Sequence, residues 1–246
     1  MVNSMSKKIL AIVEGEKKEP QLLNRLFDTY KERRQIVSYG ANLYDLYERI
    51  RSYYGDDLED WDFLLFLREQ EADEEKKKIF DDRYTDIFLV FDFDPQDNRF
   101  SPTAIQTMMT YFNDSTSNGR LYINYPMVES CIHITSFEDD SYLFSYVRLA
   151  ELGQYKTRAN EESCCPDITQ YDQKIFSNII RLNLVKIQRL LKRNERPSGD
   201  LYDILKTILT LQIDLLKRKA AFYILNTCLF CIYEYNPRMI DWLERK

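Results

Sequence analysis

Apolar residues along this 246-residue chain alternate between short unbroken runs and longer stretches with helical spacing. Lys8 to Val13 (KILAIV) is a run that stops at Glu14-Gly15, the pattern of a buried strand closed by a turn. From Glu19 to Tyr30, Leu22, Leu23, Leu26 and Phe27 recur on one helical face, with Pro20 in the first turn, where no N–H is needed. Ile36 to Tyr39 reads as a second strand, and Asn42 to Tyr54 sets Leu43, Leu46, Tyr47 and Ile50 on one side of a helix. Asp86 to Phe91 (DIFLVF) is a further buried strand, ending at Asp92-Phe93-Asp94-Pro95. A helix is predicted over Pro102 to Asn113, a polar turn over Asp114 to Gly119 and a strand at Leu121 to Asn124. Strands that are apolar on both faces and alternate with helices predict an α/β domain with a parallel sheet covered by flanking helices.

Two regions depart from that rhythm. Asp56 to Lys78 is dense in charge but carries Trp61, Phe63, Leu64, Leu65, Phe66 and Leu67, so an acidic insertion of one helix or a helix pair is expected around 56–80. After Pro126 the texture turns helical. Glu129 to Leu152 predicts one or two helices, whereas Gln154 to Cys165 is polar without a period. Ile168 to Arg193 and Leu201 to Tyr235 are long amphipathic patterns parted by Pro197 and Gly199, which predicts an antiparallel helical hairpin. The expected organisation is an α/β domain over residues 1–135 and a helical region over 136–246.

Composition narrows the classes. With 44% hydrophobic residues the chain can bury a substantial core. Five cysteines without framework spacing fit a reducing compartment, and the polar start from Met1 to Lys8 runs directly into a strand, so a cytoplasmic protein without a signal peptide is expected. The longest apolar stretch, Phe222 to Tyr233, is too short to span a bilayer and is broken by Asn226. The segment from Ala220 to Tyr233 suits a homo-oligomer contact as readily as a core.

The net charge of -6 conceals an asymmetry. Residues 1–166 hold 20 Lys+Arg against 31 Asp+Glu, and residues 167–246 hold 14 against 9. Arg181, Lys186, Arg189, Lys192, Arg193 and Arg196 face a single acid, Glu195, a surface suited to a phosphate backbone or, equally, to plain solvation.

Acids stand at the strand ends, where ligands collect in open parallel sheets. Glu14 follows the first strand, Asp92 and Asp94 follow the DIFLVF strand, and Glu129 lies just beyond LYIN. Asp92 and Asp94, at i and i+2, would share one side of an extended chain and reach one metal or a close pair, with Asp97 as a further oxygen donor. Such crowded carboxylates repel unless a hard cation such as Mg²⁺ sits among them. Other chemistries recede. Six glycines supply no phosphate-binding loop, so any ATPase or sensor partner would be a separate chain. His133 is the single histidine, expected to be a satisfied helix residue. The Cys228/Cys231 and Cys164/Cys165 pairs are expected to be core cysteines.

In combination the motifs are more specific. Ile12-Val13-Glu14-Gly15-Glu16-Lys17-Lys18-Glu19-Pro20, followed by Val90-Phe91-Asp92-Phe93-Asp94, resembles the Toprim family, and within it the RloB and OLD-like proteins of bacterial antiphage systems. Glu129, in Pro126-Met127-Val128-Glu129-Ser130, is similar in placement to a later family glutamate. The resemblance covers residues 7–135 and departs from the minimal domain in the acidic insertion. It implies a Toprim-like (Rossmann-like) sheet and metal-dependent phosphodiester cleavage of DNA or RNA by an antiphage effector. Asp92 and Asp94 would hold Mg²⁺ (or Mn²⁺), and Glu14 would bind metal or act as general base. Glu19 and Glu129 would complete the acidic cluster, and Lys17 would stabilise the transition state. The alternative is a silent module of the same fold that binds a partner.

Overall fold

The computed structural model describes residues 8–55, 61–192 and 201–235. A mostly parallel five-stranded sheet organises the chain, in the order β2-β1-β3-β5-β4. Its strands are β1 (Ile9–Val13), β2 (Arg34–Ser38), β3 (Asp86–Asp92), β4 (Asn113–Asp114) and β5 (Gly119–Asn124). The short β4 alone runs antiparallel, as a hairpin with β5. β1, between β2 and β3, is buried along its whole length, which is why KILAIV has no polar alternation.

Helix α1 (Lys18–Tyr30) links β1 to β2 and buries Leu22, Leu23, Leu26 and Phe27, as its spacing predicts. Helix α2 (Leu43–Tyr54) starts where the Asn42 side chain accepts the Asp45 N–H. The acidic insertion is a pair of short helices, α3 (Phe63–Gln70) and α4 (Glu74–Phe80), each capped by an aspartate, Asp62 and Asp73. Helix α5 (Pro102–Tyr111) returns the chain to the sheet, with Ser101 as its cap and Pro102 in its first turn. The chain leaves β1 towards β2 but leaves β3 in the opposite direction, towards β5. Right-handed crossovers then put α1 and α5 on opposite faces, and the reversal falls between β1 and β3.

Beyond Pro126 the expectations need correction. Glu129 to Leu152 forms no α-helix. It makes short 3₁₀ turns at Val128–Cys131, Ser141–Phe144 and Leu149–Gln154, with a strand, β6 (Tyr146–Arg148), between the last two. The polar stretch after them contains α6 (Tyr155–Glu161). Helix α7 (Gln173–Leu190) matches its pattern, but Leu201 to Tyr235 is not one helix. Helix α8 (Leu201–Lys219) ends where Ala220 takes a positive φ of 47°. A strand, β7 (Ala221–Tyr223), and a short helix, α9 (Phe230–Tyr235), follow.

The expected hairpin is also redrawn. α7 packs on α1 and on the turn at Ser141–Phe144, whereas α8 packs on α5 and β7. Its connecting turn, with Pro197 and Gly199, lies outside the described residues. β6 and β7 pair antiparallel, and Tyr125 and Leu225 exchange two backbone hydrogen bonds of 2.9 Å that sew this small sheet to the chain leaving β5. The buried side chains of both regions form one continuous apolar core. Among the described residues no helix is long and apolar enough to cross a membrane.

Candidate metal centre

Glu14, Asp92 and Asn124 stand side by side at the carboxyl ends of β1, β3 and β5, where the sheet changes direction. The Asp92 N–H donates to Glu14 Oε2 at 3.0 Å, so the two acids share one corner. Desolvation raises the Glu14 carboxyl from its ordinary 4.5 to about 7; that hydrogen bond opposes the rise, and Glu19, Asp94 and Asp97 reinforce it. Burial pushes Asp92 well above the carboxylate range, with repulsion from Glu14, Glu19 and Glu129 adding to it. Part of Asp92 is open to solvent, yet its Oδ1 is sealed from water and makes no hydrogen bond of ordinary geometry, although the Asn124 side chain faces the carboxyl and opposes the rise. Its cross-strand neighbour Asn124 has an Nδ2 in the same state.

Glu19 folds back under Gly15 and is buried. A Cβ at Gly15 would come within 2.7 Å of Glu19 Oε2, so a larger residue there would displace the Glu19 carboxyl. Burial raises the Glu19 carboxyl, hydrogen bonds from its own N–H and that of Gly15 oppose the rise, and Glu129 adds to it. Glu129 is buried too, and Lys156, from α6, reaches its Oε1 at 3.1 Å. Lys156 escapes a sequence reading because only tertiary packing brings α6 to Glu129.

Asp94 does not follow the extended-chain expectation. β3 ends at Asp92, and Asp94 has a φ of +34°, so it lies in a turn rather than beside Asp92 on a strand face. Burial raises its carboxyl and Asp97 raises it further. Both oxygens of Asp97 are engaged, by Asn42 Nδ2 at 2.5 Å and by the backbone and guanidinium of Arg99, which hold the carboxyl below its ordinary range. Tyr44 fixes the same turn by donating to the Phe93 carbonyl at 2.5 Å. The acids thus form an inner group (Asp92, Glu19, Glu129) and an outer group (Asp94, Asp97), with Glu14 adjoining both.

No family model, curated protein or solved structure matches the chain. Among the described residues no three His, Cys, Asp or Glu are drawn together closely enough to hold a metal ion. The adjoining Glu14 and Asp92 would supply at most two carboxylates, so a hard cation held there would complete its shell with water or substrate oxygens. The oxygen-only donors and the sealed Asp92 Oδ1 fit such an ion.

The remaining expected residues divide. Lys17 is exposed at the start of α1 and has no hydrogen-bond or ion-pair partner among the described residues. Arg181, Arg189 and Lys192 are exposed on or just beyond α7, and Arg193 lies outside the described residues. Lys186 is corrected: it is buried, and its Nζ donates to the carbonyls of Tyr142 (2.9 Å) and Ser145 (2.7 Å) and to Ser145 Oγ (2.7 Å). It ties the Ser141–Phe144 turn to α7 and is closed to nucleic acid.

His133 is not helical. It is buried after the Val128–Cys131 turn, with Nε2 3.0 Å from Glu162 and Nδ1 unpartnered. Cys131, Cys228 and Cys231 are core residues, but Cys164 is exposed and Cys165 half-buried. A cavity of about 720 Å³ lies at the amino ends of β3 and β5, away from the acids. Its Asp62 caps α3 and its Asp82 pairs with Lys8, so these acids are already committed.

The raised Glu14 carboxyl has a direct consequence. In metal-free protein its ¹³C carboxyl resonance is expected to titrate near pH 7, and saturating Mg²⁺ to move that midpoint down by a unit or more, roughly the effect of a nearby opposite charge. A midpoint near 4.5 would show that the cluster is not buried and crowded as described.

Proposed function

We propose that the chain is a metal-dependent nuclease with a Toprim-like domain, hydrolysing phosphodiester bonds in DNA or RNA with Mg²⁺ (or Mn²⁺) at the Glu14, Asp92 and Asp94 cluster. The observation that carries this reading is the Asp92 Oδ1, sealed from water and without a hydrogen bond of ordinary geometry, in a carboxyl that burial and the charges of Glu14, Glu19 and Glu129 push upward. A buried carboxylate in that state is costly unless it is protonated or meets a cation. The Glu-Gly and Asp-x-Asp motifs at adjacent strand ends support the family resemblance.

Asp92 and Asp94 are the residues that would hold the ion, which when bound offsets phosphate charge and acidifies a coordinated water. Glu14, titrating near neutrality, is matched to accept a proton from an attacking water. Glu19 and Glu129 keep the interior of the site negative, and Lys156 partly compensates them. Arg99 and Asn42 position the Asp94–Asp97 turn through Asp97. Lys17 is free to meet a non-bridging phosphate oxygen, and Arg181, Arg189 and Lys192 to meet backbone phosphates. A role as an antiphage effector beside a separate ATPase or sensor rests on the resemblance alone.

One observation favours the second reading, a silent partner-binding module. Glu14 is turned onto the Asp92 N–H, and no three acids converge. Incubating the full chain with labelled plasmid, single-stranded DNA and total tRNA in Mg²⁺ or Mn²⁺ separates the two. Metal-dependent cutting is expected, at least about 100-fold weaker in Asp92→Ala/Asp94→Ala, the scale of lost transition-state charge stabilisation. Cutting that survives the double substitution would sink the nuclease assignment to this site. No cutting by either protein would favour the silent module.

A further inference from the structure

We infer that the outer face of the β6–β7 sheet is a docking track for single-stranded nucleic acid, running to the turn that carries Asp94. The destination rests on the function proposed above, but the track itself stands on separate observations.

The first is a pair of exposed rings. Phe144 and Tyr146 are 54% and 47% exposed, although large apolar side chains are otherwise mostly covered among the described residues. Along β6 the side chains alternate, with Val147 buried and Tyr146 and Arg148 facing out. Across the sheet Tyr146 faces Tyr223, and Arg148 faces Ala221. The small Ala221 leaves a hollow of about 360 Å³ between Tyr146, Arg148, Leu215, Lys219 and Tyr223. That volume is within the range of small-ligand pockets, enough for one base and its sugar.

The second observation is charge. Arg189 lies 3.8 Å over the Phe144 ring at one end, and Arg148 and Lys219 border the hollow at the other. Several nearby acids are already engaged, while Glu138 and Asp140 stand exposed beyond the Phe144 end. Asp214 pairs with Arg218, Glu151 accepts the Arg148 N–H and pairs with Arg158, and Asp139 accepts the Ser141 N–H. Exposed rings interleaved with cations, one of them already stacked on Phe144, match unstacked bases on an anionic backbone; a duplex would leave the rings unused.

The third observation is continuity with the acids. Leu149, directly after β6, donates to the Ala220 carbonyl at 2.7 Å and accepts from Gln96 Nε2 at 3.2 Å. Gln96 belongs to the Asp94–Asp97 turn, so the Arg148 end of the track abuts that turn. From Phe144 to Arg148 the chain covers about 13 Å at strand rise.

The test is fluorescence anisotropy on the full chain in EDTA, with labelled oligo(dT), oligo(rU) and a duplex, each about 12 nucleotides long. Either single strand is expected to bind more tightly than the duplex, and the preferred sugar identifies the source. Phe144→Ala/Tyr146→Ala is expected to weaken binding by roughly 10-fold or more, the effect of losing base stacking, with an unchanged circular dichroism spectrum. Arg148→Ala/Lys219→Ala is expected to flatten the logarithmic salt dependence by about 1.4, the contribution of two phosphate contacts.

Unchanged affinity in the aromatic variant would overturn the inference. So would a variant that alters only the oligomeric state, since the rings would then belong to a second copy. Binding that depends on the rings without any cleavage would keep the track and remove the nuclease; cleavage with ring-independent binding would do the reverse.

Discussion

Glu14→Gln is expected to stabilise the metal-free protein by about 3 kcal/mol at pH 8 while cutting metal-dependent cleavage by at least about 100-fold. The stability sign follows from proton binding. In the folded chain the Glu14 carboxyl titrates near 7, against 4.5 for an unperturbed group. Between those values the folded state holds a proton that the unfolded state has released, so this group's contribution to stability falls as pH rises through the window. Each pKa unit corresponds to about 1.4 kcal/mol, so the cost is fully present above pH 7 and absent below about 4.5. Glutamine carries no charge and still offers an oxygen to the Asp92 N–H. For a chain of this length the gain corresponds to roughly 6–12 °C in thermal midpoint at pH 8 and almost nothing at pH 4.5. Saturating Mg²⁺ is expected to raise the wild-type midpoint, and to raise the variant's by less, because Asp92 and Asp94 remain while one nearby negative charge is lost. Equal midpoints for the two proteins at pH 8 without metal would show that the acids are not crowded.

Asn226→Ala is expected to act in the opposite direction and to destabilise the fold by about 3 kcal/mol. Asn226 is fully buried where the chain passes from the small sheet into α9. Its Nδ2 donates to Asn124 Oδ1 at 3.1 Å and to Ser130 Oγ at 3.5 Å, and its Oδ1 accepts the Leu229 N–H at 3.3 Å. Truncation strips partners from buried polar groups and leaves a cavity, which together reach the upper part of the single-substitution range. Chemical denaturation measures the loss. Because Asn124 sits opposite Asp92 in the β3–β5 register, weaker Mg²⁺ binding is expected alongside. A change below about 1 kcal/mol would mean that the network does not tie the C-terminal segment to the sheet.

The parts of the fold legible from the sequence are those in which one element repeats a pattern over several turns or residues. β1, β3, α1, α2 and α5 read directly because each buries one face, or all of its length, in a single core. β6 and β7 were hidden because three residues give too little alternation to register. The apolar pattern also continues through Ala220, whose positive φ breaks α8 without the usual glycine. Lys186 looked like part of a basic face, but no periodicity distinguishes a lysine that finds three acceptors on another segment.

The candidate site was legible at its strand ends and obscure at its turn. Glu14 and Asp92 were legible as acids at the ends of parallel strands, but that they meet depends on β1 and β3 being neighbours, a strand order that the alternation of strands and helices does not fix. The conformation of Asp94 depends on Tyr44, Asn42 and Arg99 gripping the Asp94–Asp97 turn from outside β3, and no local signal encodes that grip. The Lys156–Glu129 and Asn226–Asn124 pairs are likewise products of long-range packing.

Calorimetric titration of Mg²⁺ into the full chain at pH 7, repeated in two buffers of different protonation enthalpy, measures the central claim most directly. The expected result is saturable binding with release of protons from the acids at the β1 and β3 ends, lost in Asp92→Asn. No saturable heat, or binding of equal strength in that variant with no proton released, would contradict a metal site at these acids.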